Sequence, residues 1–118
     1  MGYFAITRDA GPGWRDRTGA FDQPGADEHA SFMNKLAESG FLLFAGPLAG
    51  SEADRIRVLL MVSANSEAEV HKRLTDDPWA CSRQLVTISV ESWVPIVGFG
   101  AAKPSLVPLT ESHGPNAP

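Results

Sequence analysis

"FLLFAGPLAGSEADRIRVLLMVS", residues 41–63, holds two apolar runs separated by a short polar segment that carries glycine. Runs of this length bounded by turn residues read as strands, and "AGSEADR" between residues 41–48 and 56–63 folds them into a hairpin. The rest of the chain is arranged around that hairpin. On its N-terminal side, "PGADEHASFMNKLAESG" (24–40) places Phe32, Met33, Leu36 and Ala37 on one side at helical spacing. Asp22 or Gln23 is expected to cap this helix, Pro24 suits its first turn, and Gly40 stops it. On the C-terminal side, "SEAE" (66–69) matches a capping box, in which Ser66 accepts from the Glu69 amide and Glu69 reaches back to the amide of Ser66. Val70 and Leu74 share one face of this second helix, which ends in "TDDPWA" because a residue preceding proline is pushed out of the helical region.

Outermost lie two more strands. "YFAIT" (3–7) is followed by a long aperiodic loop, "RDAGPGWRDRTGAFDQ" (8–23). In "QLVTISVESWVPIV" (84–97), Val86, Ile88 and Val90 alternate with Thr87, Ser89 and Glu91. The order βαββαβ is the ferredoxin-like α+β plan, a four-stranded antiparallel sheet with two helices on one face. If the helices cover Phe4, Ile6, Val86, Ile88 and Val90, the opposite face presents Tyr3, Ala5, Thr7, Leu85, Thr87, Ser89 and Trp93. The hairpin strands are apolar at both parities, Leu42 and Phe44 against Phe41 and Leu43, so that face is expected to be covered. A second copy of the chain, packed sheet face to sheet face in an isologous homodimer, is the expected cover. The enclosed space mixes the hydroxyls of Tyr3, Thr7, Thr87 and Ser89 with apolar groups and suits a small polar or aromatic ligand. The same hydroxyls on a solvated face would need no ligand.

Composition narrows the function classes. With 118 residues, 43 % hydrophobic and 20 % charged, the chain fits one soluble domain able to bury a core without staples. A net charge of -4 supplies no basic stripe, so nucleic acid is not an expected partner. Cys81 is alone and cannot close an internal disulfide. The apolar runs are too short and glycine-broken to cross a bilayer, and the N-terminus lacks a leader pattern, so a cytoplasmic protein is expected. From residue 98 the chain turns Pro/Gly-rich without period, which divides it into an α+β domain (1–98) and an arm (99–118) lying against its own subunit or the partner.

His29, early in the first helix, is the candidate for chemistry, because imidazole exchanges protons near neutrality and works best when a carboxylate orients its other nitrogen. Asp27, Glu28 and the distant Asp77 are the candidate partners; Asp77 could equally be a turn residue before Pro78. Arg8, Arg15 and Arg17 could clamp a substrate carboxylate or simply solubilise a polar loop, and the glycines around Trp14 in "GPGW" would let that ring swing over a pocket, the alternative being an ordinary turn with the Trp packed on the surface. A lone cysteine such as Cys81 is usually a small buried apolar group rather than a nucleophile, and His71 and His113 read as solvated helix and tail positions. A metal site from His29, Asp77 and Cys81 lacks any paired ligand spacing, so no metal is expected.

A histidine early in helix one, "GFLLFAGPL", "DDPW" after helix two and a late Trp in the last strand together resemble the YCII-related proteins, small members of the dimeric α+β barrel superfamily, over residues 1–98. The resemblance implies a homodimer with one pocket per subunit, a His-Asp pair that falls on His29 and Asp77, and acid–base chemistry without an obligate cofactor. One reading is then a small lyase, isomerase or related acid–base enzyme with a small acidic, cyclic or aromatic metabolite in the pocket. The alternative is a non-catalytic dimer that binds such a ligand or serves a larger enzyme. Fold does not choose between them.

Overall fold

The computed structural model describes residues 2–97, so the arm expected over residues 99–118 lies outside the described residues. Four strands, β1 (Gly2–Ala10), β2 (Leu42–Pro47), β3 (Arg57–Ala64) and β4 (Leu85–Trp93), form one antiparallel sheet in the order β2-β3-β1-β4. Helices α1 (Ala26–Glu38) and α2 (Glu67–Leu74) flank the hairpin in sequence, and a one-turn helix α3 (Pro78–Cys81) precedes β4. The ferredoxin-like βαββαβ plan is therefore present, with α3 added to it.

The caps show how local chemistry sets the boundaries. Gly25, at φ 76°, rather than Asp22 or Gln23, caps α1, and Asp27 and Glu28 in its first turn suit the positive end of the helix dipole. Gly40, at φ 86°, ends the helix as expected. At α2, Ser66 accepts from the Glu69 amide at 3.1 Å, but the Glu69 carboxylate reaches the amide of Asn65, at 2.7 Å, one residue earlier than the simple box.

β1 runs three residues beyond the expected "YFAIT", because Arg8, Asp9 and Ala10 pair with Thr87, Val86 and Leu85. β4 is correspondingly shorter than expected, ending at Trp93 just before the Pro95 region. A bulge separates the Thr7–Ser89 and Arg8–Thr87 pairs and leaves Ile88 over, 58 % exposed. The extra residue reverses the expected parity of the first half of β4: Leu85 and Thr87 turn toward the helix side with Arg8, and Leu85 becomes core. A second irregularity in β2 sends Leu42 into the core beside Val62 and Phe44 to the open face beside Met61.

The core under the helices is built from Ile6, Leu36, Phe41, Leu60, Val62, Val70 and Leu74. A satellite cluster joins Trp14, Ile56, Trp79 and Leu85. On the opposite face Phe44, Leu59 and Trp93 remain 50 %, 45 % and 40 % exposed. Among the described residues no helix is long and apolar enough to cross a membrane.

Candidate active site

Asp77 is the hinge of the site. As the N-cap of α3 its Oδ1 accepts from the Trp79 amide at 2.9 Å, and Pro78 at the first helical position leaves no stranded donor. The same carboxylate meets two side chains from elsewhere in the chain. Oδ1 accepts from Nδ1 of His29 at 2.8 Å, and Oδ2 from Nη1 of Arg8 at 2.8 Å. The Asp77 side chain is fully buried, Arg8 is 1 % exposed and His29 17 %. The turn residue, the helix-start histidine and the loop arginine of the sequence reading thus converge on one point.

Burial pushes the Asp77 carboxyl up, and the His29 hydrogen bond, the Trp79 amide and the positive charge of Arg8, joined by that of His29 when it is protonated, outweigh it, so the group is held below its ordinary value of 3.8. A folded value lower than the unfolded one means that the unfolded chain takes up the proton first, so Asp77 contributes its full stabilisation above pH 3.8 and loses it as pH falls toward the folded value. Denaturant titrations of wild type and Asp77→Asn at stepped pH are expected to show a constant stability gap above that point and a narrowing gap below it.

The His29 ring stacks on Trp79 at 4.0 Å between centroids with planes 10° apart. Trp79 is itself fixed, by its indole N–H donating to the Pro24 carbonyl at 2.9 Å and by edge contact with Trp14 at 5.5 Å. With Nδ1–H given to Asp77, the imidazole is left with the Nε2 lone pair as its acceptor. His29 borders a cavity of about 560 Å³ between α1 and the sheet, walled by apolar side chains including Met33, Ile56, Val58, Leu60 and Leu85. Its polar groups are His29, Arg8 and Glu52, and Nε of Arg8 is buried with no hydrogen-bond partner among the described residues.

This cavity lies on the helix-covered side of the sheet, so the expected ligand residues separate. Arg8 lines it. Thr87 shares the Arg8 side of the sheet without bordering the cavity, while Tyr3, Thr7 and Ser89 stand on the open face, where burial pushes the Tyr3 hydroxyl up. Trp14 is 5 % exposed and packed in the satellite cluster rather than over the cavity. The glycines before it serve close approach, since a Cβ on Gly11 or Gly13 would stand 2.4 or 2.3 Å from the carbonyl oxygens of Arg83 and Ser82. Arg15 and Arg17 are exposed and away from the cavity. Cys81 is exposed, contrary to the buried reading, with Sγ 3.5 Å from the Thr75 carbonyl. His71 is exposed as read, 3.4 Å from Glu67. Among the described residues no group of three or more His, Cys, Asp or Glu is placed to hold a metal ion.

Sequence reasoning passed over Trp79 as a site residue, although "DDPW" held both its cap and its proline. It also missed Phe21, the second aromatic, after Trp14, of the loop between the first strand and the first helix.

No family model matches the chain, and no curated protein matches it. Among solved structures it is similar to 5-chloro-2-hydroxyhydroquinone dehydrochlorinase (TftG) from Burkholderia phenoliruptrix AC1100, in complex with 2,5-dihydroxybenzoquinone. The two are 26 % identical with a TM-score of 0.55, and the match covers 78 % of this chain and 93 % of that one. With that likeness, the sheet order and helix placement described above are those of the dimeric α+β barrel type.

Proposed function

We propose that the protein is a cofactor-independent acid–base enzyme of the lyase or isomerase type, with His29 as the proton-transferring group and Asp77 as the residue that positions it. The observation that carries this reading is the Asp77 carboxylate shared between His29 and Arg8 at the edge of an apolar cavity. A carboxylate on Nδ1 fixes tautomer and ring orientation, as it does in hydrolase triads, and leaves Nε2 to take a proton. With His29 neutral, the charges of Arg8 and Asp77 cancel. Once the imidazole takes a proton the cluster carries one net positive charge, which favours an oxyanion on the substrate beside it.

The substrate class that suits this arrangement is a small oxygen-bearing ring, supported by the apolar walls, by the free Arg8 Nε, and by the dehydrochlorinase neighbour with its quinone ligand. His29 removes a proton from an acidic O–H or C–H, and the electron pair moves into the ring. In a lyase a leaving group then departs with its bonding pair. In an isomerase the proton returns at another carbon. The order of elements that resembles the YCII-related proteins supports the same His-Asp assignment. The test is chloride release from 5-chloro-2-hydroxyhydroquinone, together with deuterium exchange at ring carbons of unchlorinated hydroxyhydroquinone. Tight binding with neither reaction would favour the non-catalytic alternative.

A homodimer belongs to this proposal, supported by the exposed Phe44, Leu59 and Trp93 on the open sheet face. Light scattering of the full chain is expected to give twice the chain mass, and Leu59→Glu to halve it; a wild-type mass of one chain would remove the dimer.

A further inference from the structure

Phe21 is 96 % exposed, more than any other large apolar side chain among the described residues. An isolated exposed phenylalanine needs no explanation, but this one lines the cavity, beside Gly19 and Ala20. The backbone that presents it is held firmly. Phe21 sits in a 3-10 turn (Ala20–Asp22) in which the Asp22 amide donates to the Gly19 carbonyl at 3.0 Å. The next residue, Gln23, is 3 % exposed, and its side chain accepts from the Arg15 amide and donates to the carbonyls of Arg15 and Thr18, at 3.0, 2.8 and 2.9 Å. The ring is thus offered at the cavity rim by a braced turn.

The cavity's other aromatic side chain is already engaged. Trp79 is 5 % exposed, stacked on His29 and in edge contact with Trp14, which leaves little of its ring to a ligand. Arg8 and His29 meet at Asp77 on the cavity wall, and the lining residues next to Phe21 in the chain, Gly19 and Ala20, are without polar side chains. A ring whose oxygen-bearing edge faces Arg8 and His29 would cover Phe21 and remove its exposed surface from water.

From this placement we infer that Phe21 is a specificity-determining residue for ring-shaped ligands: the aromatic surface against which the ligand ring is held. The inference rests on the reading of this cavity as the active site. It is tested by absorbance titration of the full-length protein with 2,5-dihydroxybenzoquinone, for wild type, Phe21→Ala, Phe21→Leu, Phe21→Tyr and His29→Asn. Because the Phe21 side chain is almost wholly exposed, its variants are expected to melt with wild type. Phe21→Ala is expected to weaken binding about tenfold, Phe21→Leu to recover only part of that loss, and Phe21→Tyr to stay within about twofold of wild type. Wild-type affinity in Phe21→Ala or Phe21→Leu overturns the inference, since neither then requires a ring. If His29→Asn loses affinity while Phe21→Ala keeps it, the active-site reading survives and the role of Phe21 does not. If wild type fails to bind the quinone, both fall. A change of molecular mass in Phe21→Ala with unchanged affinity would assign the ring to a protein interface instead, which also overturns it.

Discussion

Asp77→Asn is expected to lower stability at neutral pH by about 3–5 kcal/mol, because a buried arginine loses the charge that compensates it. The substitution keeps the shape of the side chain and an acceptor for the Trp79 amide, and it turns the acceptor facing Nη1 of Arg8 into an N–H donor, so charge and hydrogen bond are lost together. Arg8 is 1 % exposed, with Nη1 on Asp77 and Nε unpartnered, and it has no other carboxylate within ion-pair distance among the described residues. Set against the roughly 5–15 kcal/mol that holds an ordinary domain together, such a loss brings the protein close to unfolding. A shift of the urea midpoint with unchanged slope would measure it. The double variant Arg8→Met/Asp77→Asn separates the causes: when the unpaired charge is responsible, it recovers much of the loss by removing that charge. A single variant within about 1 kcal/mol of wild type would show that Arg8 finds compensation elsewhere and that the cluster is not the anchor described.

His29→Asn is expected to reduce turnover of the hydroxylated ring substrate by about 10²–10⁴-fold while leaving the fold in place. Asparagine keeps a donor within reach of Asp77, and the Arg8–Asp77 pair is untouched. It cannot carry a proton in either direction. Deuterium incorporation at ring carbons should therefore collapse together with turnover, whereas loss of a mere binding contact would raise KM and spare kcat. Unchanged exchange in this variant would remove His29 from the chemistry and leave the cavity as a binding site.

The fold was legible because its signals are local and mutually consistent. The hairpin runs, the Ser66 cap and the Gly40 stop each depend on a few neighbouring residues, and each stands where it was expected. The bulge at Ile88 was not legible, because an added residue between two registers leaves the alternation of Val86, Ile88 and Val90 intact in the sequence while reversing half of it in space. That reversal moved Leu85 and Thr87 to the other side of the sheet. Arg8 reads as loop because it opens a stretch rich in Gly, Asp and Arg without period; its strand conformation depends on cross-strand partners and a carboxylate 69 positions away. His29 and Asp77 could be named from residue type and resemblance, yet their contact is a tertiary fact. The hydroxyls of the open face are conspicuous in the sequence, whereas the cavity beside His29 is walled by residues whose composition is indistinguishable from core.

The bonds that build the site are among the longest in sequence: Arg8 to Asp77 spans 69 positions, Gln84 to Pro24 60, Trp79 to Pro24 55 and His29 to Asp77 48. A chain leaving the ribosome from its N-terminus therefore exposes Arg8 and His29 well before the carboxylate they share has been synthesised. A fragment that stops before Asp77 lacks the carboxylate that joins Arg8 to His29, and loop closure must be completed before those contacts repay it. The Arg8–Asp77–His29 cluster is consequently a property of the finished domain, assembled only when the segment after the second helix packs against the first helix.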